Sequence, residues 1–306
     1  MNPQQRYRKE LEEFLKGRAF GSLEELQAAA DEFTRQYNMR PVDDFCGLSS
    51  NDMWHILNQP FDSPEIVSFN LDAQVPKDAP RLKLLLRLLQ KIDDSQGVKA
   101  TVKGNLPRNL CRELEKEYYD EEQYKEIRSI GALMSEVEFI DLHVVRILAE
   151  MAGYIRKHKK RFIITKRGKG LLTQGITARD FLHILKVYTM EYNWAYADRY
   201  PVLHIIQSSF LYTLYLLKKF GNEYRQPDFY SSLFIKAYPA VLDEINDPVY
   251  TTREKLIKDC YEFRALRRFA IDFGLADMAL TQRVSYKENY LLKKSSFLED
   301  LIIFRQ

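Results

Sequence analysis

The chain has 306 residues, 45% of them hydrophobic, which is enough to fill one large or two ordinary cores and excludes a disordered or fibrous chain. Lysine and arginine (46) nearly cancel aspartate and glutamate (43), so the net charge of +3 argues by itself for neither nucleic acid nor an anionic membrane. Three widely spaced cysteines, Cys46, Cys111 and Cys260, with no Cys-x-x-Cys pair, fit reduced thiols in a cytoplasmic protein and exclude a disulfide framework.

In chain order, residues 6 to 39 read as two amphipathic helices bracketed at Gly17 and Gly21, with Ser22 and Glu25 as a capping box. Acids and bases balance over residues 1 to 40, seven of each, as on a solvated helical face. The opening MNPQQRYRKELEEF lacks the apolar core of a secretory leader. Arg40 to Asn70 is loop-rich, and Ser49 to Asp52 supply cap chemistry for a short helix carrying Met53, Trp54, Ile56 and Leu57. Its aromatics are expected to pack this piece onto the next domain.

After the linker-like stretch Asp72 to Pro80 the pattern changes. A leucine-rich helix through Leu82 and Leu89, a short strand at Gly97 to Thr101 and a helix opened by Leu106-Pro107-Arg108 precede a polar loop around Tyr118 to Gly131. Ser135 and Glu138 then form a capping box for a helix whose apolar stripe is Phe139, Ile140, Val144, Ile147, Leu148 and Met151, ended by Gly153. Tyr154-Ile155 and Phe162 to Thr165 read as two strands joined by a basic tip, Arg156 to Arg161. The order helix, strand, helix, helix, strand, strand is that of a winged-helix domain, a helix-turn-helix variant. The phrases Thr101 to Arg108, Ala152-Gly153-Tyr154-Ile155 and Thr165-Lys166-Arg167-Gly168 resemble winged-helix modules attached to some bacterial helicases and regulators. The whole chain also resembles a bacterial family without an assigned function, so the resemblance implies a fold and no activity.

The remainder is mostly helical. Thr177 caps a helix through Phe181 and Tyr188, the phrase Tyr192 to Asp198 leads to the Tyr200-Pro201 break, and Leu203 to Phe220 is apolar nearly all round. That last segment is interrupted by His204, Gln207, Ser208 and Ser209, so it reads as a core helix rather than a membrane span. Asp228 and Thr251 start two further helices, the second reaching Phe273. The C-terminal stretch from Ala270 echoes the winged segment: Ala270-x-x-x-Gly274-Leu275 parallels Ala149-x-x-x-Gly153-Tyr154, and Ser295 precedes Leu301 as Thr165 precedes Leu171. The expectation is a mostly α (α+β) chain with a helical N-terminal region (1–74), a winged-helix domain (75–175) and a helical region ending in a winged-helix-like unit (176–306). Against the repeat stands the plain alternative, any helix followed by a hairpin and a helix.

Motifs for catalysis or cofactor binding are missing. The glycines lack phosphate-loop spacing, Gly-x-Ser-x-Gly is absent, and the five histidines are scattered, although His183 and His204 could meet across adjacent helices. Asn193 and Asp198 could line a pocket, but such a phrase more often packs a helix end. The reading is therefore non-enzymatic, with no cofactor and no metal. One constellation survives: Gly153 to Gly170 carries eight bases and no acid, whereas Cys111 to Glu150 carries eleven acids against five bases. Arg156, Lys157, Lys159, Lys160, Arg161, Lys166, Arg167 and Lys169 are thus the candidate nucleic-acid contacts, of the kind that follow a phosphate backbone. The helix in the recognition position presents Glu138, Asp141 and Glu150 with only Arg146 as a base reader, which suits a major groove poorly. Nucleic-acid binding and a protein-interaction scaffold built on the same fold both stay open; lysines at a solvated hairpin tip also discourage edge pairing.

Overall fold

A computed structural model describes residues 3–129, 131–196, 198–284 and 287–305, with the side chains of Pro3 and of residues 283–288 left aside. The chain is mostly α-helical with small antiparallel sheets. Helices α1 (Pro3–Leu15) and α2 (Leu23–Asn38) pack on each other. Ser22 Oγ accepts the Glu25 amide at 3.2 Å and the Glu25 carboxylate accepts the Gly21 amide at 2.7 Å, which closes the break between them. Phe33 is buried against Tyr7, Phe14 and Tyr37 in a small aromatic cluster. Helix α3 (Ser50–Asn58) starts on the expected Ser49–Asp52 box, and strand β1 (Val67–Phe69) comes next. Phe61 stacks on Phe69 at 5.6 Å and on Phe210 at 5.7 Å, so this aromatic docks the region on the later helical part of the chain, while Trp54 stays exposed.

The next unit comprises α4 (Pro80–Asp94), β2 (Val98–Lys99), α5 (Arg108–Tyr118), α6 (Glu121–Ser129), α7 (Ile140–Met151), β3 (Ile155–His158), β4 (Arg161–Ile164) and α8 (Lys166–Gln174). Its three strands form one antiparallel sheet in the order β2-β4-β3. Leu82, Leu85 and Leu89 of α4 and Leu142, Val145 and Leu148 of α7 are buried in the core, with the two helices in contact. Two local expectations are corrected. The stretch read as a polar loop holds α6, because Asp120 Oδ1 accepts the Gln123 amide (2.8 Å) and Gln123 Oε1 accepts the Asp120 amide (3.3 Å), a reciprocal cap hidden in a highly charged sequence. Ser135 and Glu138 bond to each other (3.1 Å) above a 3₁₀ turn, Glu136–Glu138, and α7 begins only at Ile140. The tighter turn lets Glu136 reach inward, and Met151, expected on the buried stripe, is exposed.

Helix α9 (Ala178–Lys186), capped by Thr177 and Asp180, runs into a π-helical turn, Val187–Glu191. The expected single helix from Leu203 to Phe220 is divided at Ser209 into α10 (His204–Ser208) and α11 (Phe210–Phe220). Residues Phe210 to Leu217 are all buried, as an all-round apolar helix requires. Helix α12 (Pro227–Ala237) starts with proline in its first turn, one residue before the expected Asp228. Thr252 rather than Thr251 caps α13 (Arg253–Tyr261), its hydroxyl accepting the Lys255 amide at 3.1 Å. Helix α13 continues as ten π-helical residues, Glu262–Ile271.

The chain closes with β5 (Ala276–Val284), β6 (Lys287–Lys294), α14 (Ser296–Leu301) and β7 (Ile302–Phe304), the last paired with β1. The echo of the earlier segment is a real structural repeat. Gly153 (φ 74°) and Gly274 (φ 72°) both end a helix in the left-handed region. The amides of Tyr154 and Leu275, one residue on, bond back to Ala149 and Ala270, each at 2.8 Å. Thr165 Oγ1 and Ser295 Oγ each donate to that glycine's carbonyl at 2.7 Å and accept the amide of Gly168 or Leu298 at 3.1 Å. Leu171 and Leu301, six residues further, are both buried. The two hairpins differ in length, β5–β6 being the longer.

Because one hydroxyl both caps a helix and ties it to the preceding turn, Ser295→Ala and Thr165→Ala should each cost about 1–2 kcal/mol. Urea unfolding of the two variants checks this, and a near-zero loss in either would show that the shared bonds carry no stability.

Candidate nucleic-acid interface

The basic tip is tighter than six residues. Arg156, Lys157 and His158 lie in β3 and Arg161 in β4, leaving Lys159-Lys160 as a two-residue turn with φ of 46° and 60°. Two consecutive left-handed residues make the turn whose twist matches a hairpin, a position that favours Asn-Gly. Lysine there costs about 1–2 kcal/mol per residue in backbone strain. The end of β2 is held against this turn by the Ala100 amide, which donates to the Lys160 carbonyl at 2.8 Å.

Strand alternation then sorts the cations. Lys157 lies opposite Phe162 on the core side, its ammonium 4.9 Å from that ring and 3.6 Å from the Glu150 carboxylate. Arg161 pairs with His158 on one side and with Lys99 on the other, so these three side chains share the opposite face of the sheet. The Arg161 guanidinium also donates to the Gly97 carbonyl, which orients it without cancelling its charge. Lys103 is exposed on the neighbouring 101–104 turn, where Gly104 sits close to the Lys157 ammonium. Sequence reading missed Lys99 and Lys103, because their approach to the β3–β4 hairpin depends on β2 joining the sheet.

On α8, Thr165 caps the helix, Lys166 is exposed, Arg167 lies 5.5 Å from the Tyr154 ring, and Lys169 pairs with Asp93 at 3.2 Å. Of the eight expected contacts, Lys157 and Lys169 are therefore partly neutralised. Arg156, Lys159, Lys160, Arg161, Lys166 and Arg167 are exposed and form no ion pair among the described residues.

Helix α7 is sealed. Arg146 is buried, donating Nε to Glu136 at 2.9 Å and a terminal nitrogen to Glu150 at 2.6 Å. Glu136, with no exposed surface, also bonds His143 Nδ1 at 2.6 Å and accepts the Leu106 amide. His143 Nε2 in turn meets the Tyr196 hydroxyl at 3.0 Å. Burial works to raise the Glu136 pKa, but the bonds from His143 and Leu106 and the Arg146 charge outweigh it and hold the carboxyl below its ordinary value. With Leu142 to Arg146 all buried, α7 has no free face to lay in a groove.

His183 bonds the Ala152 carbonyl at 3.1 Å, His204 is exposed, and among the described residues no group of three or more His, Cys, Asp or Glu could hold a metal ion. Burial pushes the thiols of Cys111 and Cys260 up to about 12. The 192–198 phrase packs rather than lines a pocket: Trp194 donates to the Tyr188 carbonyl at 2.8 Å, and the Asp198 carboxylate takes a two-point bond from Arg264 at 2.6 and 2.9 Å. Asn193 accepts the Ala195 amide, and Ala197 lies outside the described residues.

Residues 77–177 match the family described as the Y4jL N-terminal domain, a span that runs from the linker before α4 to the start of α9. Comparison of the chain with curated proteins and with solved structures finds no match.

The strained turn and the buried carboxylate each have a measurable effect. The double substitution Lys159→Asn, Lys160→Gly should stabilise the fold by about 1–2 kcal/mol by relieving the left-handed turn, as read by denaturant unfolding. Glu136→Gln should cost about 3 kcal/mol near neutral pH by removing one of the two carboxylates that pair the buried Arg146 and leaving only Glu150. The Glu136 carboxyl has a lowered folded pKa, so its stabilisation is present above the ordinary value of 4.5 and is lost as pH falls through the folded value. The gap between wild type and variant should accordingly close in acid, and a gap independent of pH would exclude this carboxylate as its source.

Proposed function

We propose that this chain is a cytoplasmic, non-enzymatic winged-helix protein, with a second winged-helix-like unit at its end, that binds nucleic acid by gripping phosphates with its first wing. The observation that carries the reading is the Lys159-Lys160 turn: two lysines stand in left-handed backbone that asparagine and glycine would occupy with less strain, and neither charge is cancelled. Strain kept at an exposed site is accounted for when the side chains have work to do there. Arg156 and Arg161 flank the turn, with Lys99 and Lys103 beside it, so a field of one sign borders the wing.

The same geometry shapes the binding mode. Arg146, the base reader available to α7, is spent on Glu136 and Glu150, and acids dominate what remains of that helix. Recognition then rests on the phosphate backbone, which is sequence-independent and strongly dependent on salt. The alternative is a winged helix used as a protein-interaction scaffold, and it makes the opposite forecast for salt.

With about three to four phosphate contacts from Arg156, Lys159, Lys160 and Arg161, log K should fall against log salt with a slope near −3 to −4. Affinities for unrelated duplexes of equal length should agree within about threefold, because phosphate contacts carry no base information. Replacing Lys159, Lys160 and Arg161 by alanine should flatten the slope by up to about three. Titration of wild type and variant against duplex and single-stranded nucleic acid at two salt concentrations tests this. A wild type that fails to bind at about 50 mM salt, or a variant with unchanged affinity, would leave the scaffold reading in its place.

A further inference from the structure

Helix α6 faces the C-terminal half of the chain across a cleft of about 1110 Å³. One wall is Tyr119 with Gln123 and Glu126; the other is built by α13, the π-helical segment and the β5–β6 hairpin. In the π-helical segment Glu262 and Arg267 stand five residues apart, one turn of such a helix, so both face the cleft together with Phe263. Short π-helical interruptions of α-helices recur at functional sites, and here ten residues adopt that form.

Among the described residues, the Glu262 carboxyl in this cleft has no ion pair. Asp259 is paired with Lys255, and Asp228 with Lys258 at 3.0 Å, while Lys258 also holds Glu254. Glu126 and Arg267 each have interactions of their own. Glu262 itself is half-buried. Beside it is Tyr290 of β6, only 4% exposed, whose hydroxyl is buried against the Glu262 carboxyl without closing a well-formed hydrogen bond. Burial raises the Glu262 pKa; Tyr290 opposes that rise, Asp259 adds to it, and the charges of Lys255 and Arg267 oppose it. A buried hydroxyl with no closed hydrogen bond beside a half-buried carboxyl with no ion pair leaves room for a donor that brings positive charge. The Tyr200 and Phe263 rings lie 5.8 Å apart on the same wall, and the Arg268 guanidinium already lies 4.3 Å from the Phe263 ring, so Tyr200 is the ring left for a further cation.

We infer that this cleft is a second binding site, independent of the wing, that takes an organic ammonium ion, with Glu262 as its charge partner and Tyr290 as a hydrogen-bond partner. A primary ammonium has three donors, enough to serve the carboxylate and the phenol oxygen at once. The cavity is larger than one ammonium needs, so the ion is carried on a chain, either a free polyamine or the lysine side chains of a peptide.

Calorimetric titration of the full chain with spermidine and, separately, with an acetylated tetralysine amide, at about 150 mM salt so that loose surface attraction is screened, tests the site. Saturable binding with Kd below about 1 mM is expected for at least one probe. Binding by spermidine identifies a free polyamine as the source, and binding by tetralysine alone identifies a basic peptide. Glu262→Gln should weaken the binding probe by about tenfold or more, and Tyr290→Phe by about threefold, with both variants folded by circular dichroism. Ligand charge favours ionised Glu262, so affinity should fall as pH drops from about 7.5 to about 5, and this pH dependence should vanish in Glu262→Gln. The absence of saturable binding for both probes, or equal affinity in wild type and a folded Glu262→Gln, would overturn the inference.

Discussion

A single guanidinium buried at the start of α4 joins the two halves of the molecule. Arg81 donates from its backbone amide to the Asp272 carbonyl at 2.9 Å, and from its side chain to the Asp272 carboxylate and the Arg268 carbonyl. Its third neighbour is Asp141 on α7, 3.9 Å away, so one residue touches α4, α7 and the end of the π-helical segment. Tyr188 and Phe273 place their rings 5.9 Å from the same group. Burial works against the Arg81 charge, but Asp272 outweighs it and the arginine stays protonated. Leaving either member of such a buried pair alone is costly, about 3–5 kcal/mol, whereas a matched apolar pair can serve as well. The pair therefore ties the start of α4 to the end of the π-helical segment, with Asp141 of α7 beside it.

Given that joint, the two copies of the helix, glycine, hairpin and hydroxyl unit share their backbone bonds and differ in what they expose. The first hairpin ends in a strained lysine turn pointing into solvent, with its sheet backed by buried Ile155 and Phe162. The second hairpin is longer and turns Tyr290 and Leu291 toward a cleft. Gly221 lets α11 approach the end of β6 closely: a methyl group there would sit 2.8 Å from the Lys294 amide. The second hairpin is thus packed against the helical core at its base, and the first is free at its tip.

Charge is distributed by the same logic. The acids of the stretch before α7 are not a uniform negative surface, because Glu136 and Glu115 are drawn inside and bonded to arginine. Burying Glu136 seals α7 and withdraws Arg146, while the cations of the β3–β4 hairpin and of the start of α8 stay exposed. Helix α7 serves here as a packing element, with Tyr196 laid over its His143.

Features made by residues a few positions apart were legible in order along the chain. The caps at Ser22, Ser49 and Thr177, the glycines at helix ends, the two strands of the basic hairpin and the echo near the C-terminus all depend on bonds spanning three to six residues or on periodicity. The local errors came where two local options compete, as at Asp120, whose cap sits among charges typical of a loop, and at Ser135, where an inward-turning Glu136 displaced the expected start of α7. The cations of the basic hairpin could be enumerated from composition; which of them stay free could not. Lys157 meets Glu150, Lys169 meets Asp93, and Arg146 is consumed by Glu136. The cleft around Glu262 and Tyr290, and the Arg81–Asp272 joint 191 residues apart, were invisible for the same reason. A sequence by itself determines hydrogen bonds closed within a turn or two of backbone, whereas burial and ion pairing are settled by side chains that become neighbours only when the whole chain is folded.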